Sequence, residues 1–177
     1  MQRILLTIAG LHPESGGPSR SVPELAAALG RMGLAVEIVA HHYGENCHRP
    51  QPPTSELART TFVPCDLPWQ RRCQWAPQFK NILRSRCREF QPEILHDTGL
   101  WLSTNHAAAS VAADLQLPRI VSPRGMLAGW ALRHKSWKKR LAWTAYQRRD
   151  LEQAQVLHAT SPVEAQGFRA AGMKQPI

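Results

Sequence analysis

The run Ile4-Leu5-Leu6-Thr7-Ile8-Ala9, closed by Gly10, constrains the fold more than any other feature of the chain. Unbroken apolarity of this length fits a strand covered on both faces, as in the centre of a parallel sheet. A signal-peptide core would be longer and would lead to a small-residue cleavage site, whereas this run leads directly into Gly10-Leu11-His12-Pro13. A glycine-rich turn follows, Ser15-Gly16-Gly17-Pro18-Ser19. Beyond it Val22, Leu25, Ala26, Leu29 and Met32 share one helical stripe, with Pro23 placed for the first turn and Gly33 for the cap. The opening is therefore a strand, a tight turn and a helix.

The same alternation runs to the end. Strands are expected at Val36–Ala40, Thr60–Pro64, Glu93–Asp97, Arg119–Ser122 and Val156–Ala159. Helices are expected from about Ala76 to Phe90, over Asn105–Gln116, over Trp137–Gln153, and from the capping box Ser161-Pro162-Val163-Glu164 to near Gly172. Met173–Ile177 would begin a further strand. The Pro-rich stretch His41–Glu56 reads as a surface loop. Strands interleaved with helices define an α/β fold, a Rossmann-like, doubly wound, mostly parallel sheet flanked by helices. The 177 residues suit one such domain.

Several chemistries are excluded or disfavoured. No Cys-x-x-Cys pair is present among Cys47, Cys65, Cys73 and Cys87, so neither a zinc site nor a redox motif is indicated, and no metal is expected. The first turn lacks both the G-x-G-x-x-G of dinucleotide folds and the Gly-Lys-Ser/Thr of a P-loop. What remains is a phosphate-friendly loop at a helix N-terminus, or simply a tight turn.

In open α/β sheets ligands bind beyond the carboxyl ends of the strands. Gly16, Gly17, Ser19 and Arg20 follow the first strand; His96, Asp97, Gly99 and Trp101 the fourth; Arg124 and Gly125 the fifth; Ser161 and Glu164 the sixth. His96-Asp97 is a candidate acid/base pair, but neighbouring strand residues point to opposite faces. Asp97, last in its strand, is expected to line the cleft, with His96 structural. Arg124, in a Pro-Arg-Gly turn, suits a phosphate or carboxylate, or is a solvated loop arginine.

The runs His96-Asp97-Thr98-Gly99-Leu100-Trp101, Ser122-Pro123-Arg124-Gly125-Met126-Leu127 and Leu157-His158-Ala159-Thr160-Ser161 with Glu164, together with the Ser15–Arg20 loop, resemble glycosyltransferase family 4. The likeness is greatest to bacterial enzymes of exopolysaccharide and lipopolysaccharide synthesis. The resemblance implies the N-terminal, acceptor-side half of a GT-B fold, with most of the nucleotide-sugar held by a C-terminal domain outside these 177 residues. It implies that Gly16 and Gly17 approach the donor diphosphate while Asp97 and Arg124 face the acceptor and reacting sugar. Relatives often carry His at the position of Arg124. Because an arginine is no general base at neutral pH, Arg124 takes an electrostatic role. The nucleotide-sugar is a co-substrate, no cofactor is implied, and turnover by this chain alone is not expected. The competing reading is a non-catalytic binding or membrane-adaptor module.

Charge adds a second theme. The net charge is +9, and nine basic residues with no acidic one lie between Leu115 and Arg149; the other 13 basic residues are matched by 13 acidic ones. A helical wheel puts Trp137, Leu141, Thr144 and Leu151 on the core face. It leaves Trp143 and Tyr146 outside, among Lys135, Lys138, Lys139 and Arg140. Aromatics among cations suit an anionic membrane surface, consistent with a lipid-linked glycan acceptor and a cytoplasmic enzyme peripheral to the inner face of the cell membrane. A solvated helix and a cover over the acceptor cleft are the alternatives. No recognition motif points to nucleic acid.

Overall fold

In the computed structural model, residues 1–13, 16–42, 55–65, 67, 70, 75–127 and 136–177 are described. The apolar opening is a strand, β1 (Arg3–Gly10), and it is central. It pairs in parallel with β2 (Ala35–His42) on one side and β4 (Ile94–Thr98) on the other. β3 (Ala58–Pro64) extends the sheet beyond β2, and β5 (Arg119–Ser122) and β6 (Val156–Leu157) extend it beyond β4. The order β3-β2-β1-β4-β5-β6, parallel throughout, is the doubly wound order.

Six helices and one π-helical turn among the described residues complete the elements: α1 (Pro18–Arg31), α2 (Phe79–Phe90), α3 (Ser103–Asp114), α4 (Ser136–Ala142), the turn Trp143–Gln147, α5 (Arg148–Glu152) and α6 (Pro162–Ala170). Pro18, not Pro23, opens α1, so Pro23 lies inside the helix. Gly33, at φ +85°, closes α1 as expected, with Leu34 N–H donating to the Leu29 carbonyl at 3.1 Å.

Strand alternation sorts the core into layers. Leu5, Val39, Val63 and Leu95 meet Phe79, Leu83 and Cys87 of α2 and Ala108 and Val111 of α3. Leu6, Ile8, Val36 and Ile38 meet Val22 and Ala26 of α1 on the other face. A third cluster joins Val121 and Leu157 to Leu151 of α5 and Phe168 of α6. Sequence patterning does not anticipate one polar anchor. Buried Glu37 of β2 accepts from Arg86 Nε at 2.6 Å and Nη2 at 2.9 Å, and from Thr61 Oγ1 at 2.7 Å, which fastens α2 to the sheet.

Three expectations are corrected. β6 ends at Leu157, short of Ala159. Met173–Ile177 forms no strand, although Leu157 N–H donates to the Pro176 carbonyl at 2.9 Å. The third concerns the wheel over Trp137–Gln153. Trp137 and Leu141, assigned to the core, are 67% and 64% exposed, while Trp143 and Tyr146, assigned outward, are half-buried. The π turn is the reason. It admits one extra residue, about 100° of helical phase, so residues before and after it no longer share a stripe.

Candidate functional site

β1 and β4 are neighbours in the sheet, yet the helices that follow them pack on opposite faces. Their carboxyl ends form the switch point where such sheets take ligands. At the end of β1 the chain turns at Gly16 (φ +90°), a conformation glycine adopts at no steric cost, and enters α1 at Gly17. Gly16, Gly17 and Arg20 are exposed. Ser19 is buried, and its hydroxyl donates to the Gly16 carbonyl at 2.7 Å, so it holds the turn's shape. Ser15 lies outside the described residues.

At the end of β4 the alternation holds, but the faces are the reverse of those expected. Asp97 is 1% exposed on the α3 side. Its Oδ1 accepts from Thr7 Oγ1 at 2.8 Å and Asn105 Nδ2 at 2.9 Å, and its Oδ2 lies 3.6 Å from Arg119 Nη1. Burial pushes its pKa up to about 6, against the downward pull of Arg119 and the two hydrogen bonds. His96 turns to the α1 side and lines an open apolar cavity of about 750 Å³ with Ile4, Leu29, Ile120 and His158. Burial, aided by His158 and Arg124, lowers its pKa to about 4, so the ring is neutral at pH 7.

His158 is the residue that sequence reading misses. Its ring centroid lies 5.9 Å from that of His96, and its Nδ1 is 2.8 Å from Ser122 Oγ. The signal was available in register: His96 pairs with Ile120 and Ile120 with Val156, so His158 falls two residues on, on the same face.

Beyond β5 the chain makes the turn Arg124-Gly125, with φ +55° and +79°. The carboxylate of Glu164, in the first turn of α6, accepts from Gly125 N–H at 2.6 Å, Thr160 N–H at 2.8 Å and Thr160 Oγ1 at 2.7 Å. Burial raises the Glu164 pKa, but these bonds and the Arg124 charge outweigh it and the net shift is downward. The capping box is half-formed: Ser161 Oγ accepts from Glu164 N–H at 3.2 Å, while the carboxylate is engaged elsewhere. Arg124 Nε is enclosed and meets no hydrogen-bond acceptor among the described residues.

The loop after β4 is tied to the other two. Gly99 N–H donates to the Ser122 carbonyl at 2.9 Å. Trp101, at φ +71°, donates N–H to Gln147 Oε1 at 2.8 Å and Nε1–H to the Met126 carbonyl at 3.3 Å, and Tyr146 donates its hydroxyl to the Trp101 carbonyl at 3.3 Å. Of the described non-glycine residues with positive φ, Gln91 and Gln116 sit just past helix ends, whereas Trp101 and Arg124 sit at strand ends. Strained backbone of this kind costs about 1–3 kcal/mol and clusters at working sites.

The structure thus gathers His96, Ser122, Arg124, Gly125, His158, Thr160, Ser161 and Glu164 at the carboxyl ends of β4, β5 and β6, and buries Asp97 behind them. Of the basic surface group, Lys139 and Trp143 pack near Trp101 and Arg140 is exposed; Lys135 and the side chain of Lys138 lie outside the described residues. Among the described residues no three His, Cys, Asp or Glu side chains converge as metal ligands would.

No curated protein matches the sequence. Among solved structures, sucrose-phosphate synthase from Thermosynechococcus elongatus superposes with a TM-score of 0.74 at 17% identity, over 99% of this chain and 46% of that one. Anabaena HepE, solved in complex with UDP and glucose, gives 0.63 at 13% identity, over 98% of this chain and 42% of its own. UDP-GlcNAc 2-epimerase from Neisseria meningitidis, solved bound to UDP-GlcNAc, gives 0.56 at 12%, over 98% and 44%. The chain therefore spans less than half the length of each. Likeness at these identities shows the fold, a Rossmann-like sheet of the GT-B kind, which transferases and epimerases share. The sequence decides the family: the model described as "Glycosyl transferase 4-like domain" matches residues 16–176, and the chain belongs to that family.

Proposed function

We propose that this chain is the acceptor-side half of a glycosyltransferase that moves a sugar from a nucleotide-sugar to a glycan or lipid-linked acceptor in cell-surface polysaccharide synthesis. The observation that carries the reading is the Arg124 turn. Arg124 sits in a left-handed backbone turn beyond β5 whose next residue, Gly125, is held through its N–H by Glu164, and the Arg124 Nε meets no acceptor among the described residues.

In this reading Arg124 offers fixed positive charge to the group that becomes anionic as the sugar leaves its diphosphate. Gly16 and Gly17 present the α1 N-terminus to the same diphosphate. His96, neutral at pH 7, is too weak a base to take a full proton and instead orients an acceptor hydroxyl by hydrogen bonding. Asp97 acts indirectly, by fixing β1, β4 and α3 beneath the site. A second domain supplies most of the donor contacts. Trp137 and Leu141 stand exposed beside Arg140 and suit an anionic bilayer, in keeping with a lipid-linked acceptor. No helix among the described residues is long and apolar enough to cross a membrane.

The test is transfer of radiolabel from a panel of uridine-, guanosine- and adenosine-diphosphate sugars into oligosaccharides and membrane lipids by the native polypeptide that contains this chain. Incorporation should fall by about 10²–10³ in Arg124→Ala at an unchanged melting temperature. Label reaching no acceptor from any donor, or an Arg124→Ala protein as active as its parent, would overturn the reading.

A further inference from the structure

Forming a glycosidic bond takes a proton from the acceptor hydroxyl, and a group near the bond receives it. Most of the residues gathered at the ends of β4, β5 and β6 are poor recipients. His96 is too weak a base, and its Nε2 is enclosed without a hydrogen-bond partner. Asp97 is 1% exposed and set back behind the edge. Glu164 commits its carboxylate to Gly125 and Thr160, and Arg124 has no lone pair to offer. His158 is left. It stands exposed one residue beyond β6, on the wall of the cavity of about 750 Å³. That volume falls within the range of small-molecule sites, about 300–1,000 Å³.

We propose that His158 is the proton acceptor of the transfer, taking the proton of the acceptor hydroxyl on Nε2. The inference rests on the sugar-transfer reading and adds a catalytic residue to it.

Two independent features carry it. The first is the tautomer. Ser122 Oγ lies 2.8 Å from His158 Nδ1 and makes a longer bond, 3.4 Å, to the His158 carbonyl. A hydroxyl has one proton to donate. Given to the carbonyl, it leaves the Ser122 oxygen to accept from Nδ1–H, and both contacts are then hydrogen bonds. Given to Nδ1, it leaves two oxygens facing each other. The first arrangement puts the ring proton on Nδ1 and the lone pair on Nε2, and Ser122, fully buried, fixes the ring in that form.

The second is placement. The His158 and His96 rings meet edge to face, 5.9 Å apart between centroids, so one sugar residue can meet both. The charged and titratable groups around His158 are His96 of β4, Arg124 of the turn after β5 and Glu164 of α6; α1 gives the cavity wall only Leu25 and Leu29. Glu164 offsets the charge of Arg124, so an imidazolium formed here does not face an uncompensated cation. In the step itself the acceptor oxygen bonds the anomeric carbon while its O–H bond breaks and the proton passes to Nε2. The bond from that carbon to the diphosphate oxygen breaks, and the diphosphate leaves with the electron pair. The Nδ1–H bond to Ser122 stays in place throughout and steadies the imidazolium.

The experiment measures initial rates of radiolabel transfer from the same panel of nucleotide-sugars, with the native polypeptide that contains this chain and its His158→Gln variant, from about pH 5 to 8. In the variant kcat should fall by about 10²–10⁴ with the acceptor KM little changed, because a proton acceptor acts in the transition state and not in binding. The parent rate should fall as pH is lowered across that range, since an imidazole already protonated takes no proton from the substrate; the residual rate of the variant should not follow it. His158→Ala, a second variant that opens space beside Ser122, should regain rate when imidazole is added. A His158→Gln protein as active as its parent, a loss confined to KM, parallel pH profiles, or a folded His158→Ala protein that imidazole does not restore would each overturn the assignment. Any of these with transfer intact in the parent strikes His158 alone and leaves the proton to the departing diphosphate; label reaching no acceptor from any donor strikes the sugar-transfer reading.

Discussion

Glu164 holds the backbone N–H of Gly125 at 2.6 Å, and so fastens the start of α6 to the turn that presents Arg124. The same carboxylate accepts the amide and hydroxyl of Thr160, so one side chain, 8% exposed, organises two loops. Glu164→Ala should cost about 1.5–3 kcal/mol, because it removes the charged acceptor of three part-buried hydrogen bonds. Glu164→Gln, which keeps acceptor oxygen at the site, should cost about 1 kcal/mol. Urea unfolding measures both. Sugar transfer should fall in the alanine variant more than its stability loss explains, since the Arg124 turn would no longer be fixed. Full transfer at a temperature where Glu164→Ala is folded would count against this role.

Asp97 and Arg119 make the opposite kind of pair, enclosed and set back from the cleft. Asp97→Ala takes from the Arg119 guanidinium, whose side chain is 4% exposed, its nearest carboxylate and leaves it the Asp150 carbonyl, and should cost about 3 kcal/mol. Asp97→Asn retains an oxygen for Thr7 and Asn105 and should cost about 1–2 kcal/mol. If Asp97 acts only through its neighbours, the asparagine variant should transfer sugar within about tenfold of its parent, well short of the loss expected for Arg124→Ala. A well-folded Asp97→Asn protein that loses transfer as fully as Arg124→Ala would show that the carboxylate touches the reacting groups.

The sheet was legible in the sequence because its strands are short apolar runs punctuated by glycine and proline, and parallel strands need no other code. The gathering at the carboxyl edge was legible for a topological reason: polar residues at strand ends converge whatever the loops do. Three features were not. The faces of His96 and Asp97 could not be told apart by alternation alone, which fixes their opposition but not which one the helices cover; that depended on Asn105, in α3, reaching back to Asp97. The Glu164–Gly125 bond spans 39 residues and leaves no local pattern, although Glu164 was flagged for a capping role that it only half performs. The π turn at Trp143–Gln147 defeats any wheel with a fixed angle, and here it inverted the reading of Trp137, Leu141, Trp143 and Tyr146.

His41, in β2, is fully buried beside the Phe79 ring, and burial lowers its pKa to about 4 from an ordinary 6.5. The folded state therefore resists a proton that the unfolded state accepts. Above pH 6.5 this group has no effect on stability; as pH falls from 6.5 towards 4, stability is lost at about 1.4 kcal/mol per pH unit. His96 works in the same direction. Asp97 opposes them, because its raised pKa makes stability grow as pH falls through about 6. Comparison with His41→Leu isolates the single group: the stability difference between variant and parent should move in the variant's favour below pH 6.5, with that slope. Parallel pH profiles for the two proteins would mean that His41 is protonated as readily in the fold as outside it.

Trp137 and Leu141 lie one helical turn apart in α4, both more than half exposed, with Arg140 exposed between them. Side chains this exposed contribute little to stability, and Trp137→Ser with Leu141→Ser should change it by no more than about 0.5 kcal/mol per site. Transfer of the two side chains into a bilayer interface is a different matter, worth about 1.5–3 kcal/mol for each one fully buried. If this face rests on an anionic membrane, the double variant should lose at least about tenfold in affinity for phosphatidylglycerol vesicles, and added salt should weaken the parent as it screens the neighbouring cations. Vesicle flotation measures both. Unchanged flotation of the double variant would remove the membrane from the function proposed for this face and leave Trp137 and Leu141 as ordinary exposed apolar residues.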